Sequence, residues 1–137
     1  MDPVNMKKWL KRAFYANKKI EALNMRIQQC KDQATRLARL SEESNNASKG
    51  NSTESALLKL AEMEETAKKQ ISEAINVTAQ IEGKIAELHD NDLEAILIHR
   101  YILFHSIEKT AELLNYHENT VKCKTKMAIK KLCTQMS

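Results

Sequence analysis

Asn119, Thr120, Lys122, Cys123, Lys124, Lys126, Lys130 and Lys131 are the residues with the most to offer chemically. At helical spacing they form one outward face of a segment whose apolar positions are Val121, Ala128, Ile129 and Leu132, with Thr125 among them. Lysines in such a row neutralise phosphates and release counterions, which gives sequence-independent affinity that falls steeply with salt. Asn119 could bind adenine bidentately and Thr120 could touch a thymine methyl, both from the tip of the helix. The segment contains no arginine to grip guanine, so base discrimination is expected to be modest. Five lysines on a terminal helix would also suit a merely solvated face, and the elements around them decide between the two.

Those elements are short and sharply punctuated. Asp90-Asn91-Asp92 offers an N-cap, after which Leu93, Ile96, Leu97 and Tyr101 face inward on a helix reaching about Phe104. Ser106 caps a second helix over residues 107–114, with the small Ala111 at its centre allowing another backbone to approach closely. Asn115 tolerates the left-handed conformation that ends a helix, Tyr116 packs beneath the corner, and His117 or Glu118 starts the lysine-bearing helix. Two helices meeting at a tight corner, the second basic, have the pattern of a helix-turn-helix, whose second helix lies in the major groove. Residues 91–137 are therefore read as a DNA-binding domain.

Upstream, Met6, Trp9, Ala13, Ala16, Ile20, Leu23, Ile27, Cys30, Ala34 and Leu37 alternate spacings of three and four. This is a coiled-coil seam, assigned to a first long helix over residues 1–40. A second seam runs Leu57, Leu60, Glu64, Ala67, Ile71, Ala74, Thr78, Ile81, Ile85 and Leu88, interrupted at Glu64 and Thr78 and assigned to a helix over 54–90. Residues 41–53, rich in Ser and Asn with Gly50 among them, are read as a linker, with Ser52 or Thr53 capping the second long helix. The seams suit either an intramolecular hairpin or a homodimer. Lysines along the first helix are read as the solvated back of the coiled coil, although nucleic acid or a membrane surface would also accept them.

Composition agrees with an all-α chain. Two glycines, one proline and 4% aromatics in 137 residues leave little room for strands. Residues 1–53 carry 11 Lys/Arg against 5 Asp/Glu, residues 54–90 carry 4 against 8, and residues 91–137 carry 7 against 5. The basic first helix and acidic second helix favour antiparallel pairing, although burial of the seams must supply most of the energy. Three widely spaced cysteines fit a reduced cytoplasmic setting, and no apolar run approaches membrane-spanning length.

The stretches Leu97-Ile98-His99-Arg100-Tyr101-Ile102, Ala111-Glu112-Leu113-Leu114-Asn115-Tyr116, Thr120-Val121 and Ala128-Ile129-Lys130-Lys131-Leu132, with Ser106, resemble region 4 of sigma-70-family factors. The whole chain is similar to short phage and prophage transcriptional regulators of the ArpU/RinA type, specifically over residues 90–133 and only in architecture over 1–89. It departs from that pattern at Ile107, Thr110, Asn115 and His117, where an aromatic, Ile, Gly and Ser or Thr are usual. The resemblance implies promoter double-stranded DNA as partner, contact with host RNA polymerase, and Lys122 and Lys124 facing DNA with Asn119 and Thr120 at the helix tip. No aromatic-rich segment for trapping melted DNA is visible, so a complete sigma factor is not expected.

Other chemistry finds less support. The four histidines and three cysteines do not fall at metal-ligand spacing, no glycine-rich phosphate loop is available, and no catalytic constellation is visible. Neither a metal, a cofactor nor an enzymatic activity is expected. Cys123 reads as a small tolerated residue on the DNA-facing helix, its lysine neighbours also suiting an oxidant-sensing thiolate. The competing functions are a DNA-packaging protein resembling a small terminase subunit, and a protein that binds polymerase or a sigma factor without DNA.

Overall fold

Low glycine content and long apolar periodicity produce an all-helical chain, with no strand among the described residues. The computed structural model describes residues 1–43 and 47–135, with backbone only at residue 43 and residues 47–51. Among the described residues six α-helices succeed one another: α1 (Pro3–Leu10), α2 (Arg12–Glu43), α3 (Ala47–Ala86), α4 (Asn91–Leu97), α5 (Ile107–Leu114) and α6 (Glu118–Gln135). A π-helical turn, Ile98–Ile102, continues from the end of α4.

The chain divides into two compact units, one made of Met1–Asn17 with Ile75–Ser137 and the other of Lys18–Ala74. In the second unit α2 and α3 pair antiparallel, with Lys31 Nζ 3.8 Å from Glu64 Oε1 and Arg26 donating to the sulfur of Met63. Cys30, Ala67 and Ala74 are buried along this contact, and Leu23, Ile27, Ala34, Leu37, Leu57, Leu60 and Ile71 are half-buried. Two helices alone can cover only one face of each other, which is why most seam residues here keep partial exposure. Glu64, which interrupts the seam, is accommodated by Lys31 and by Lys68 at 3.4 Å. Such solvent-accessible pairs contribute at most about 1 kcal/mol, so the apolar contacts dominate.

The first unit has the substantial core. Met6, Leu10 and Ala13 meet Ile81 and Ile85 of α3, Leu88 just beyond it, Leu93 and Leu97 of α4, and Ala128, Ile129 and Leu132 of α6. A full burial of Leu or Ile contributes about 1.5–3 kcal/mol, so this cluster outweighs every ion pair in the unit. A smaller cluster joins Ile96, Ala111 and Val121 under Ile107, Leu114 and Tyr116.

Local caps set the element boundaries. Asp2 accepts from the Asn5 N–H at 2.8 Å with Pro3 in the first turn of α1. Asp90 accepts from the Leu93 N–H while Glu94 reaches back to the Asp90 N–H at 3.1 Å, a reciprocal arrangement like a capping box. Ser106 accepts from the Lys109 N–H at 3.0 Å. Asn115 stands at φ 58°, ψ 42°, the left-handed closure that its amide side chain tolerates.

Several boundaries differ from the sequence expectation. The first long helix is divided at Lys11, whose carbonyl accepts from both Phe14 and Tyr15 as α1 gives way to α2. Helix reaches Glu43 on one side of the Ser/Asn-rich segment and starts at Ala47 on the other, so the expected linker over 41–53 is largely helical at its ends. Ser52 and Thr53 lie inside α3, not at its cap, and residues 44–46 lie outside the described residues. Extending an existing helix fixes one residue per added bond, whereas starting one is costly, so long flanking helices draw poor formers in. The second seam's helix stops at Ala86, with His89 left-handed at φ 52°.

The helix expected to run to Phe104 instead widens at Ile98. Leu103 N–H donates to the Ile98 carbonyl at 2.9 Å, and His105 N–H donates to the His99 carbonyl at 2.8 Å. Phe104 takes φ 59° to permit this closure, an uncommon conformation for a bulky side chain. Arg100 donates to the His105 carbonyl at 2.7 Å, and the Nδ1 atoms of His99 and His105 lie 3.0 Å apart in a hydrogen bond that requires one neutral ring as acceptor.

Burial, and secondarily the charge of His105, hold His99 below its ordinary pKa of 6.5. A lowered folded-state pKa means stability present above the unfolded value and lost as pH falls through the folded one. Melting temperature should therefore decrease on going from pH 7.5 to 5.5, and the decrease should be smaller in His99→Asn; equal decreases by circular dichroism would contradict this. Thr110 is fully buried and its hydroxyl has no protein hydrogen-bond partner. Thr110→Val should raise stability by about 1 kcal/mol, a few degrees in Tm, and a lowered Tm would show that the hydroxyl is satisfied in solution.

Candidate nucleic-acid interface

Three surroundings fix how α6 is presented: α1, α4 and α5 all pack against it. Val121, Ala128, Ile129 and Leu132 are fully or almost fully buried, and Thr125 is half-buried, as the outward-inward pattern predicts. The Thr125 hydroxyl donates to the Val121 carbonyl at 2.7 Å, so its polar atom is satisfied inside the helix. His117 acts at the start of α6 through its ring, Nδ1 accepting from the Asn119 N–H at 3.2 Å. An imidazole thus fills the place that a hydroxyl or carboxylate commonly takes.

With about 100° between successive residues, the side opposite the buried stripe carries Asn119, Cys123, Lys126, Met127 and Lys130. All five are exposed, as is Lys122 at one margin. Lys122, Lys126 and Lys130 form no ion pair among the described residues, and Glu118 is the only carboxylate on the helix. Thr120 is half-buried near the tip. Met127, 60% exposed in the middle of this face, was not among the residues singled out by the sequence. Its spacing of four from Cys123 and three from Lys130 was the available signal.

The remaining two lysines behave differently. Lys124 lies on the opposite margin, its ammonium 3.7 Å from Asp92 and 4.7 Å from the centre of the Tyr116 ring. It ties α6 to α4 and the corner as well as adding charge. Lys131 Nζ donates to the Leu88 carbonyl at 2.8 Å, and Gln135 donates to the Glu87 carbonyl at 3.2 Å. These bonds satisfy carbonyls beyond the end of α3, where a cation also meets the negative end of the helix dipole. Of the five lysines, three form no ion pair among the described residues, one pairs with Asp92 and one donates to a backbone carbonyl.

Among the described residues no three His, Cys, Asp or Glu side chains gather as a metal site, and no helix is long and apolar enough to cross a membrane. The three cysteines are free thiols, Cys30 buried, Cys123 exposed and Cys133 half-buried.

Replacing Lys131 by Met keeps the stem and removes the donor, which should cost about 0.5–1.5 kcal/mol in a denaturant melt, whereas Lys130→Met should change stability by less than about 0.5 kcal/mol. Equal losses would remove the distinction drawn between these neighbours. No family model, curated protein or solved structure matches the chain.

Proposed function

We propose that the protein is a DNA-binding transcription regulator that presents α6 to promoter DNA. The observation that carries this reading is the exposed face of Asn119, Lys122, Lys126 and Lys130, held outward by a helix whose other face is buried in the core. Free lysines on a rigid helix suit phosphate contact, and Asn119 at the exposed N-terminal end is placed where base edges are read. The three-residue corner between α5 and α6, closed by left-handed Asn115, supports a helix-turn-helix, and its residues carry the resemblance to sigma region 4. On that resemblance the regulator is phage-encoded, acts in the bacterial cytoplasm, contacts host RNA polymerase, and works without a cofactor or enzymatic step.

Met25, Leu40 and Leu58 are 74%, 54% and 63% exposed on the 18–74 unit, where self-association through the long helices would cover them. A dimer by light scattering fits a regulator; assembly into eight or more copies would favour the packaging reading instead.

The electrostatic contribution needs no known operator, so a random-sequence duplex suffices as probe. Lys122→Gln/Lys126→Gln/Lys130→Gln should bind it more weakly and reduce the slope of log K against log salt by roughly 2–3. Lys124 is a poor choice for this test because its removal also loosens the corner. Identical affinity and slope for wild type and the triple variant would sink the assignment of α6 as the DNA-facing helix.

A further inference from the structure

A cavity of about 400 Å³ opens where the start of α2 faces the π-helical turn and the segment leading into α5. Its size lies within the range of small-molecule sites, which pair an apolar lining with a few convergent polar groups. Four rings line it: Phe14, Tyr15, Tyr101 and Phe104. Phe14 stands edge-on to Phe104 at 5.5 Å and 81°, and to Tyr15 at 5.6 Å and 76°. Such T-shaped pairs fix the directions in which the rings stand. Lys11 and Arg100 also line the cavity, and no carboxylate is among the lining residues.

The backbone of this wall is unusual in two independent ways. It contains the π-helical turn, a feature found disproportionately at functional sites, and Phe104 in a left-handed conformation. Together these deviations turn the Phe104 ring toward Phe14 and leave the Arg100 guanidinium anchored on the His105 carbonyl with donors to spare. Burial pushes the Tyr101 phenol above its usual pKa, with the Arg100 charge opposing, so its hydroxyl is a donor at neutral pH. None of the residues on the outer face of α6 lines this cavity.

We propose that the cavity is a binding site for a small aromatic anion, an aryl carboxylate or sulfonate, whose ring packs against Tyr15 and Phe104 while its charge meets Lys11 and Arg100. The ring lining supplies affinity for the planar body, and the paired cations select the anion over a neutral analogue. The site does not depend on the DNA-binding reading and is testable in its absence.

The probe is 1-anilinonaphthalene-8-sulfonate, titrated against the folded full chain, with N-phenyl-1-naphthylamine as a neutral compound of the same ring system. Lys11→Glu and Tyr15→Ser alter exposed positions, so both variants should keep the wild-type melting temperature, which separates the site from general unfolding. Saturable one-to-one binding by wild type is expected, weakened about tenfold by each substitution, with the neutral amine about tenfold weaker than the sulfonate. Absence of saturable binding by the folded chain, unchanged affinity in either variant, or equal affinity for the neutral amine would overturn the proposal.

Discussion

Burial of one face of α6 is the constraint on which the rest of the first unit depends. Ala128, Ile129 and Leu132 share a core with the N-terminal helix, the end of α3 and α4, and Val121 closes a second cluster with Ile96 and Ala111. Packing on three neighbours removes the freedom of α6 to rotate about its axis, since any turn would drag a branched apolar side chain into water. The chemistry of its outer face is fixed by that packing: whatever meets the protein there meets Asn119, Cys123, Lys126, Met127 and Lys130 together. A lysine in such a helix is sorted by a few tens of degrees of azimuth. At one margin Lys122 stays free, and at the other Lys124 and Lys131 are consumed by Asp92, Tyr116 and the Leu88 carbonyl.

Fastening at the end of α3 complements that packing. The chain must reverse between α3 and α4 within a few residues, which leaves carbonyls of the last turn without intrahelical partners. His89 in the left-handed region makes the reversal, Asp90 and Glu94 satisfy the amides after it, and Lys131 and Gln135 satisfy carbonyls that precede it. Groups distant in sequence thereby complete a local turn, and the C-terminal end of α6 is held by hydrogen bonds as well as by Leu132.

How much of this was legible in the sequence depends on the range of the determining interaction. Asp90, Ser106 and Asn115 were readable because a cap or a left-handed closure is decided within four residues. The periodic seams and the inward positions of α6 were readable because burial imposes helical spacing. The division at Lys11 and the π-helical turn carry no glycine or proline to announce them; they arise where packing on both flanks demands a different register, and Phe104 and His89 accept positive φ without a residue type that advertises it. The role of Lys131 was hidden for another reason, since its acceptor lies 43 residues away and a lysine in an outward position looks the same whether or not a carbonyl awaits it. Met127 was legible in principle, because its place on the outer face is set by its spacing from Cys123 and Lys130.

Cys123 sits at the centre of the α6 outer face, while Cys30 is buried and Cys133 half-buried. This gives the molecule a built-in chemical address. A thiol-reactive dye or spin label added to the native chain would react fastest at the position that a nucleic-acid partner is expected to cover. Quenching, shielding or mobility of that label would then report occupancy of the face directly, with no residue introduced and no charge altered.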